Sequence, residues 1–367
     1  KNFEPQLGGN RRLAKLKRLL HTTSLTNDKK CTFVPQYKYC LMKFSTPVDL
    51  PEKTVQITPH SRVMFIGSCF ADHIGGRMSD CLPQDQVCIN PHGTLYNPVS
   101  IRNALVTYLP DTIDPPYSRK GLFETSDGQW RHWDYSTKFS APTQQALEVE
   151  LTQGWERANA LFAQLDVLFI TLSTDHVYWI TDGPYKDYCA ANCHKQPASM
   201  FSEEAVPWRD LESWWHYFLS HLLQVMPHLR VVFTISPYRY AKYGMHGNAL
   251  SKAQLLLLTD HLCREFERAY YFPAYEIVTD ELRDYRFYAP DMLHPSEQAI
   301  DYVWERFTEW AFTPVMHDYA RERTALLRAM AHRPINPDTE AHRKFLQKLD
   351  MRKQAFRQKW GTDALIG

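Results

Sequence analysis

Three strand-sized, mostly apolar runs, Arg62 to Ile66 (RVMFI), Val167 to Leu172 (VLFITL) and Val231 to Ile235 (VVFTI), are separated by long segments of helical spacing. Apolar residues at successive positions bury both faces of a strand, and a sheet covered on both faces is a parallel sheet between helices. The intervening segments supply the helices. Phe70 to Met78, Asn97 to Tyr108, Thr143 to Gln164, Ser202 to Val225, Ser251 to Tyr270 and Pro295 to Phe312 all read as helical. Asn97 is a suitable N-cap for the second of these, with Pro98 at its first position. Tyr275 to Val278 reads as a fourth strand and Gly121 to Lys138 as a small hairpin insertion. Strands alternating with helices predict a layered α/β fold, followed at residues 313–367 by a helical appendage.

The chain has 367 residues, 44% of them hydrophobic and 23% charged, which is the composition of a globular protein with a full core. No run approaches the roughly 18 to 20 apolar residues of a membrane span, so a soluble protein is expected. Lys and Arg total 42 against 41 Asp and Glu, a net charge of +1 that gives no electrostatic case for nucleic acid as a partner. That charge is unevenly spread. Residues 1–41 hold nine basic and two acidic side chains, net +7, which leaves −6 on the rest. This leader reads as a poorly ordered basic extension preceding a main domain at 42–312. Within it Arg11 to Leu20 could form a basic amphipathic helix of the kind that addresses membrane surfaces or organelles. Eight cysteines without the spacing of a secreted module predict reduced thiols and a cytoplasmic location.

Open α/β sheets place their chemistry at the C-terminal ends of strands. Gly67-Ser68-Cys69-Phe70-Ala71 stands there, after RVMFI and at the start of a helix. A glycine lets the chain turn, and the free N–H groups of a helix N-terminus stabilise a thiolate or oxyanion. Either Ser68 or Cys69 could attack; a buried structural cysteine is the plainer alternative. Asp291-Met292-Leu293-His294-Pro295 precedes the last helix of the main domain. At that spacing Asp291 could accept from one imidazole nitrogen of His294, leaving the other as a general base. Its alternative is a helix cap. Cys189, Cys193, His194 and His176 could group around zinc, but C-x3-C-H is not a usual zinc spacing, so neither a metal nor a cofactor is expected. His194 and Lys195 could steady a developing negative charge. Arg239, Arg283 and Arg286 could bind a carboxylate or phosphate, or could form packed ion pairs.

The GSCFA string at 67–71 and the Asp-x-x-His block together resemble the GSCFA family, a branch of the SGNH, or GDSL-like, hydrolase superfamily, from about Met42 to Phe312. The strings NPHGTLYNP, ANCHKQP, TISPYRY and YEIVTDELRDYRFYAPDMLHPS add to that resemblance, in order. It implies a three-layer α/β/α, flavodoxin-like fold with a parallel sheet. It also implies a hydrolase or acyltransferase acting on O-acyl esters, carbohydrate O-acetyl groups among them. Superposed on the superfamily's Gly-Asp-Ser block, Gly67 takes the place of the Gly, Ser68 of the Asp and Cys69 of the nucleophilic Ser; Asp291 and His294 match the second block. Two departures stand out. The nucleophile position holds a cysteine, which suits acyl transfer through a thioester. The Gly-x-Asn-Asp block that supplies an oxyanion donor is missing, and Ser173-Thr174-Asp175-His176 stands after VLFITL instead. Gly93, in the place of the superfamily's second-block glycine, Thr174 and Asn192 are candidate replacement donors; His194 and Arg239 are candidate substrate contacts. These departures leave open a second reading, a non-catalytic binding or scaffold protein on the same fold.

Overall fold

The computed structural model describes residues 45–52, 54–109, 120–333 and 338–361. The expected basic extension at residues 1–41, with its Arg11 to Leu20 helix, lies outside the described residues. In chain order the elements are β1 (Val63–Gly67), α1 (Cys69–Cys81), β2 (Val87–Ile89), α2 (Pro98–Val106), β3 (Leu122–Glu124), β4 (Trp130–His132), α3 (Gln144–Phe162) and β5 (Val167–Leu172). Then follow β6 (His176–Ile180), β7 (Cys189–Ala190), β8 (Phe201–Ala205), α4 (Trp208–Val225), β9 (Arg230–Ile235), α5 (Gly244–Glu265) and β10 (Ala269–Tyr271). A single turn α6 (Ala274–Glu276), α7 (Glu297–Ala311), α8 (Pro314–Met330) and α9 (Glu340–Trp360) complete the chain.

The three apolar runs are the central strands of one parallel sheet ordered β2-β1-β5-β9-β10. Numbered by their order in the chain, these five strands run 2-1-3-4-5, the doubly wound flavodoxin-like order, whose ligand crevice opens between the first and third strands. Side chains alternate between two cores, as a strand period of two requires. Met64, Ile66, Leu168, Ile170, Val231 and Phe233 pack with α2, α3, α4 and α5. Val63, Phe65, Val167, Phe169 and Val232 face α1, α7, α8 and α9 on the other side. The sheet is therefore the middle of three layers. Among the described residues no helix is long and apolar enough to cross a membrane.

The expected cap forms, Asn97 accepting from the Ser100 N–H at 2.8 Å, and Thr143, expected to begin its helix, caps it, accepting from the Ala146 N–H at 3.2 Å. The expected hairpin is β3 paired with β4. Three boundaries differ. Ser202 is not helical: β8 pairs antiparallel with β6, and α4 begins only after Pro207. Gly244, at φ +67°, opens α5 seven residues before the expected start at Ser251. The fourth strand is β10, while Tyr275 to Val278 lies in α6 and the π-helical stretch Ile277–Leu282. A short apolar run such as YEIV fits a buried strand and a buried helical turn equally well.

Candidate active site

Gly67 ends β1 opposite Thr171 of β5 at a φ of +137°, where a Cβ would sit 2.2 Å from the Thr171 carbonyl oxygen. Only glycine passes there. The chain then turns straight into α1, and Ser68 and Cys69 part company. Ser68 is fully buried as the N-cap, its hydroxyl oxygen accepting from the Phe70 N–H at 3.3 Å. Cys69, the first helical residue, faces a cavity of about 410 Å³. Beneath the turn, Asn90 accepts from the Gly67 N–H at 2.8 Å and donates to the Asp72 carboxylate at 2.7 Å, tying β1, α1 and the end of β2 together.

His294 lines the same cavity. Its Nδ1 lies 2.5 Å from Asp291 Oδ2, while Asp291 Oδ1 accepts from the backbone N–H groups of Leu293 and His294 at 2.9 and 3.0 Å. Those three hydrogen bonds hold the Asp291 carboxyl down at about 2, so it stays ionised beside the imidazole. The alternative role of Asp291 as a helix cap falls to Ser296, which accepts from the Ala299 N–H at 3.2 Å. The turn is strained at Met292, φ +59°, and is held by Arg239, whose backbone N–H donates to the Leu293 carbonyl and whose guanidinium donates to that of Met292. Arg239 thus supports the histidine from behind and is not among the cavity's lining residues. The Tyr238 ring rests 4.4 Å from the imidazole, centroid to centroid.

Burial pushes the Cys69 thiol up and the nearby Asp72 adds to this; the N–H groups of Phe70 and Cys69 and the charge of Lys252 oppose it. Elsewhere burial pushes Cys81 and Cys193 to about 11 and Cys88 and Cys189 to about 12. A protonated resting thiol needs a base to attack, and His294 Nε2, the other nitrogen of the Asp-paired imidazole, has no hydrogen-bond partner among the described residues. Lys252 of α5 is 1% exposed, donates to the Ser173 carbonyl at 2.6 Å and lies 5.5 Å from the ring of Tyr240, another wall of the cavity. Burial lowers it to about 7, against the pull of Asp175 and Cys69.

The other residues singled out in the sequence fall in different places. The Gly93 N–H donates to the Asn90 carbonyl at 2.7 Å, and Gly93 is not part of the cavity wall. Thr174 is in the wall, but its N–H donates to the Tyr96 carbonyl at 3.1 Å. Asn192 accepts from the His194 N–H at 2.8 Å, outside the cavity. His194, 1% exposed at φ +48°, turns away to the His132 carbonyl at 3.0 Å; burial lowers its imidazole to about 4. The zinc grouping does not form: among the described residues no three His, Cys, Asp or Glu side chains gather as metal ligands.

Of the remaining wall residues, sequence reasoning named Asn97 only as a helix cap and His176 only as a zinc candidate, and gave the tyrosines no role. Tyr96, Tyr178, Tyr238, Tyr240, Tyr243 and His176 surround the cavity, and Asn97 reaches it from the start of α2. These come from three separate chain segments, 96–97, 176–178 and 238–243, and the SPYRYAKY run alone holds three of the tyrosines. A larger and more open depression of about 820 Å³, lined by Arg102, Trp214 and Tyr217 among others, contains neither the thiol nor the Asp-His pair.

A family model described as "GSCFA family" matches residues 62–307, well over half the chain. A second, described as "GSCFA domain protein, C-terminal domain", matches residues 324–361, within α8 and α9. No curated protein matches the chain.

Proposed function

Since the chain belongs to the GSCFA family, we propose that it cleaves or transfers an O-acyl ester through a thioester on Cys69. One observation carries this reading: Cys69, at a helix N-terminus, and His294, already paired with Asp291, open onto one cavity, while Ser68 is sealed beneath the helix as its cap. The Cys69 sulfur attacks the acyl carbonyl as its proton passes to His294 Nε2, and Asp291 stabilises the imidazolium. The Cys69 N–H, at the positive end of α1, faces the tetrahedral oxyanion. Collapse breaks the bond to the alkoxy oxygen, which leaves with the proton from His294. Water, or an acceptor hydroxyl, then gives its proton to His294 and attacks the thioester, releasing acid or a new ester and restoring the thiol.

The aromatic walls support a carbohydrate ester as substrate. Flat tyrosine faces cover the C–H faces of a sugar ring, and their hydroxyls meet its polar rim. Hydrolysis of short acyl esters by single variants tests the nucleophile. Cys69→Ala falls to background, whereas Ser68→Ala loses about 1 kcal/mol of stability with its cap and keeps its Cys69-dependent turnover. The opposite pattern would move the nucleophile to Ser68.

A further inference from the structure

We infer that the side-chain amide of Asn97 is the second oxyanion donor of the Cys69 site, an inference that rests on the acyl-transfer reading above. One N–H, that of Cys69, is a thin cradle for a full negative charge, and acyl-transfer sites use two or more converging donors. The backbone groups nearest the mouth of the crevice are already engaged. Ser173 and Thr174 N–H both donate to the Tyr96 carbonyl, at 2.9 and 3.1 Å, and the Gly93 N–H donates to Asn90.

Those same bonds place Asn97. The Leu95 N–H donates to the Gly67 carbonyl at 2.8 Å, so the segment 95–97 is stitched to the end of β1 on one side and, through Tyr96, to the end of β5 on the other. Asn97 therefore sits at the mouth between these two strands, beside the turn that carries Cys69. It is 3% exposed, yet it lines the cavity shared by Cys69 and His294. Its amide has one possible orientation. The Ser100 N–H at 2.8 Å requires the carbonyl oxygen, so the NH₂ group points the other way, and it has no acceptor among the described residues. A nearly buried amide with two unengaged N–H groups at the cavity wall, oriented by its own helix cap, is a preorganised donor.

Two rates measured on the same variants separate this role from the cap. Acylation by a p-nitrophenyl ester builds an oxyanion; alkylation of Cys69 by iodoacetamide uses the same thiol and the same His294 without one. Asn97→Ala removes cap and donor. Asn97→Ser keeps a capping oxygen without the amide. Both are expected to slow acylation by roughly 100- to 1,000-fold while Cys69 alkylation stays within about threefold of the parent and Asn97→Ser keeps its melting temperature. Acylation restored in Asn97→Ser would reduce Asn97 to a helix cap, and equal losses in both rates would make it a structural residue; either overturns the inference. If the parent protein shows Cys69 alkylation but no Cys69-dependent acylation, the acyl-transfer reading itself falls, and this inference with it.

Discussion

The thiol at Cys69 is the least inert of the cysteines whose environment pushes them up, and the reason is local. Two N–H groups of the helix start and the Lys252 ammonium offset part of the cost of burying a thiolate, while Cys88 and Cys189 lie at about 12. Lys252 faces Ser173, Tyr240, Asp175 and Cys69 from α5, and no carboxylate among the described residues forms an ion pair with it. Its charge is thus available to the thiolate below about pH 7, where Lys252 is still protonated. Lys252→Met keeps the volume and removes that charge, so Cys69 alkylation should slow below about pH 7, where the parent lysine is protonated, and stay unchanged above it. A profile unmoved by the substitution would confine Lys252 to holding the Ser173 carbonyl.

At the scale of elements, what was legible in the sequence follows from how local each signal is. The strands β1, β5 and β9 are continuous apolar runs, and the caps at Asn97 and Thr143 are set by residues within three positions. The Asp291–His294 pair was equally readable, because one tight turn makes it. Segments whose state depends on distant partners were not. Phe201–Ala205 becomes a strand only because β6 is there to pair with it, and Tyr275 to Val278 becomes helical because Ile277 and Val278 are buried against α7 and its neighbours. The same limit applies inside the site. That the Thr174 and Gly93 amides are engaged by Tyr96 and Asn90 is a matter of three-dimensional contact, invisible to a motif.

At the scale of the whole molecule, acid sensitivity follows from the buried histidines. His92 is completely buried, stacked 4.4 Å from Tyr135, and burial lowers it to about 3; His194 lies at about 4. A group whose folded pKa is depressed below the unfolded ~6.5 leaves the unfolded chain to bind the proton first. The stability is therefore complete above about pH 6.5 and is lost as the pH falls towards these folded values. Asp72, Asp134 and Glu276, pushed up by burial, act in the opposite sense, so the contribution of a histidine is read as a difference. Between pH 7 and pH 5 the parent should lose about 2 kcal/mol more than His92→Gln, visible as converging thermal melts. Parallel curves would mean that His92 accepts its proton in the folded state.

The central claim is that Cys69 carries the acyl group with His294 as its base. Intact mass and peptide mapping after a rapid quench with an activated short acyl ester test it most directly. The account predicts a single acyl adduct on Cys69 that vanishes in His294→Ala. An adduct on another residue, or one on Cys69 that forms at the same rate without His294, would contradict it.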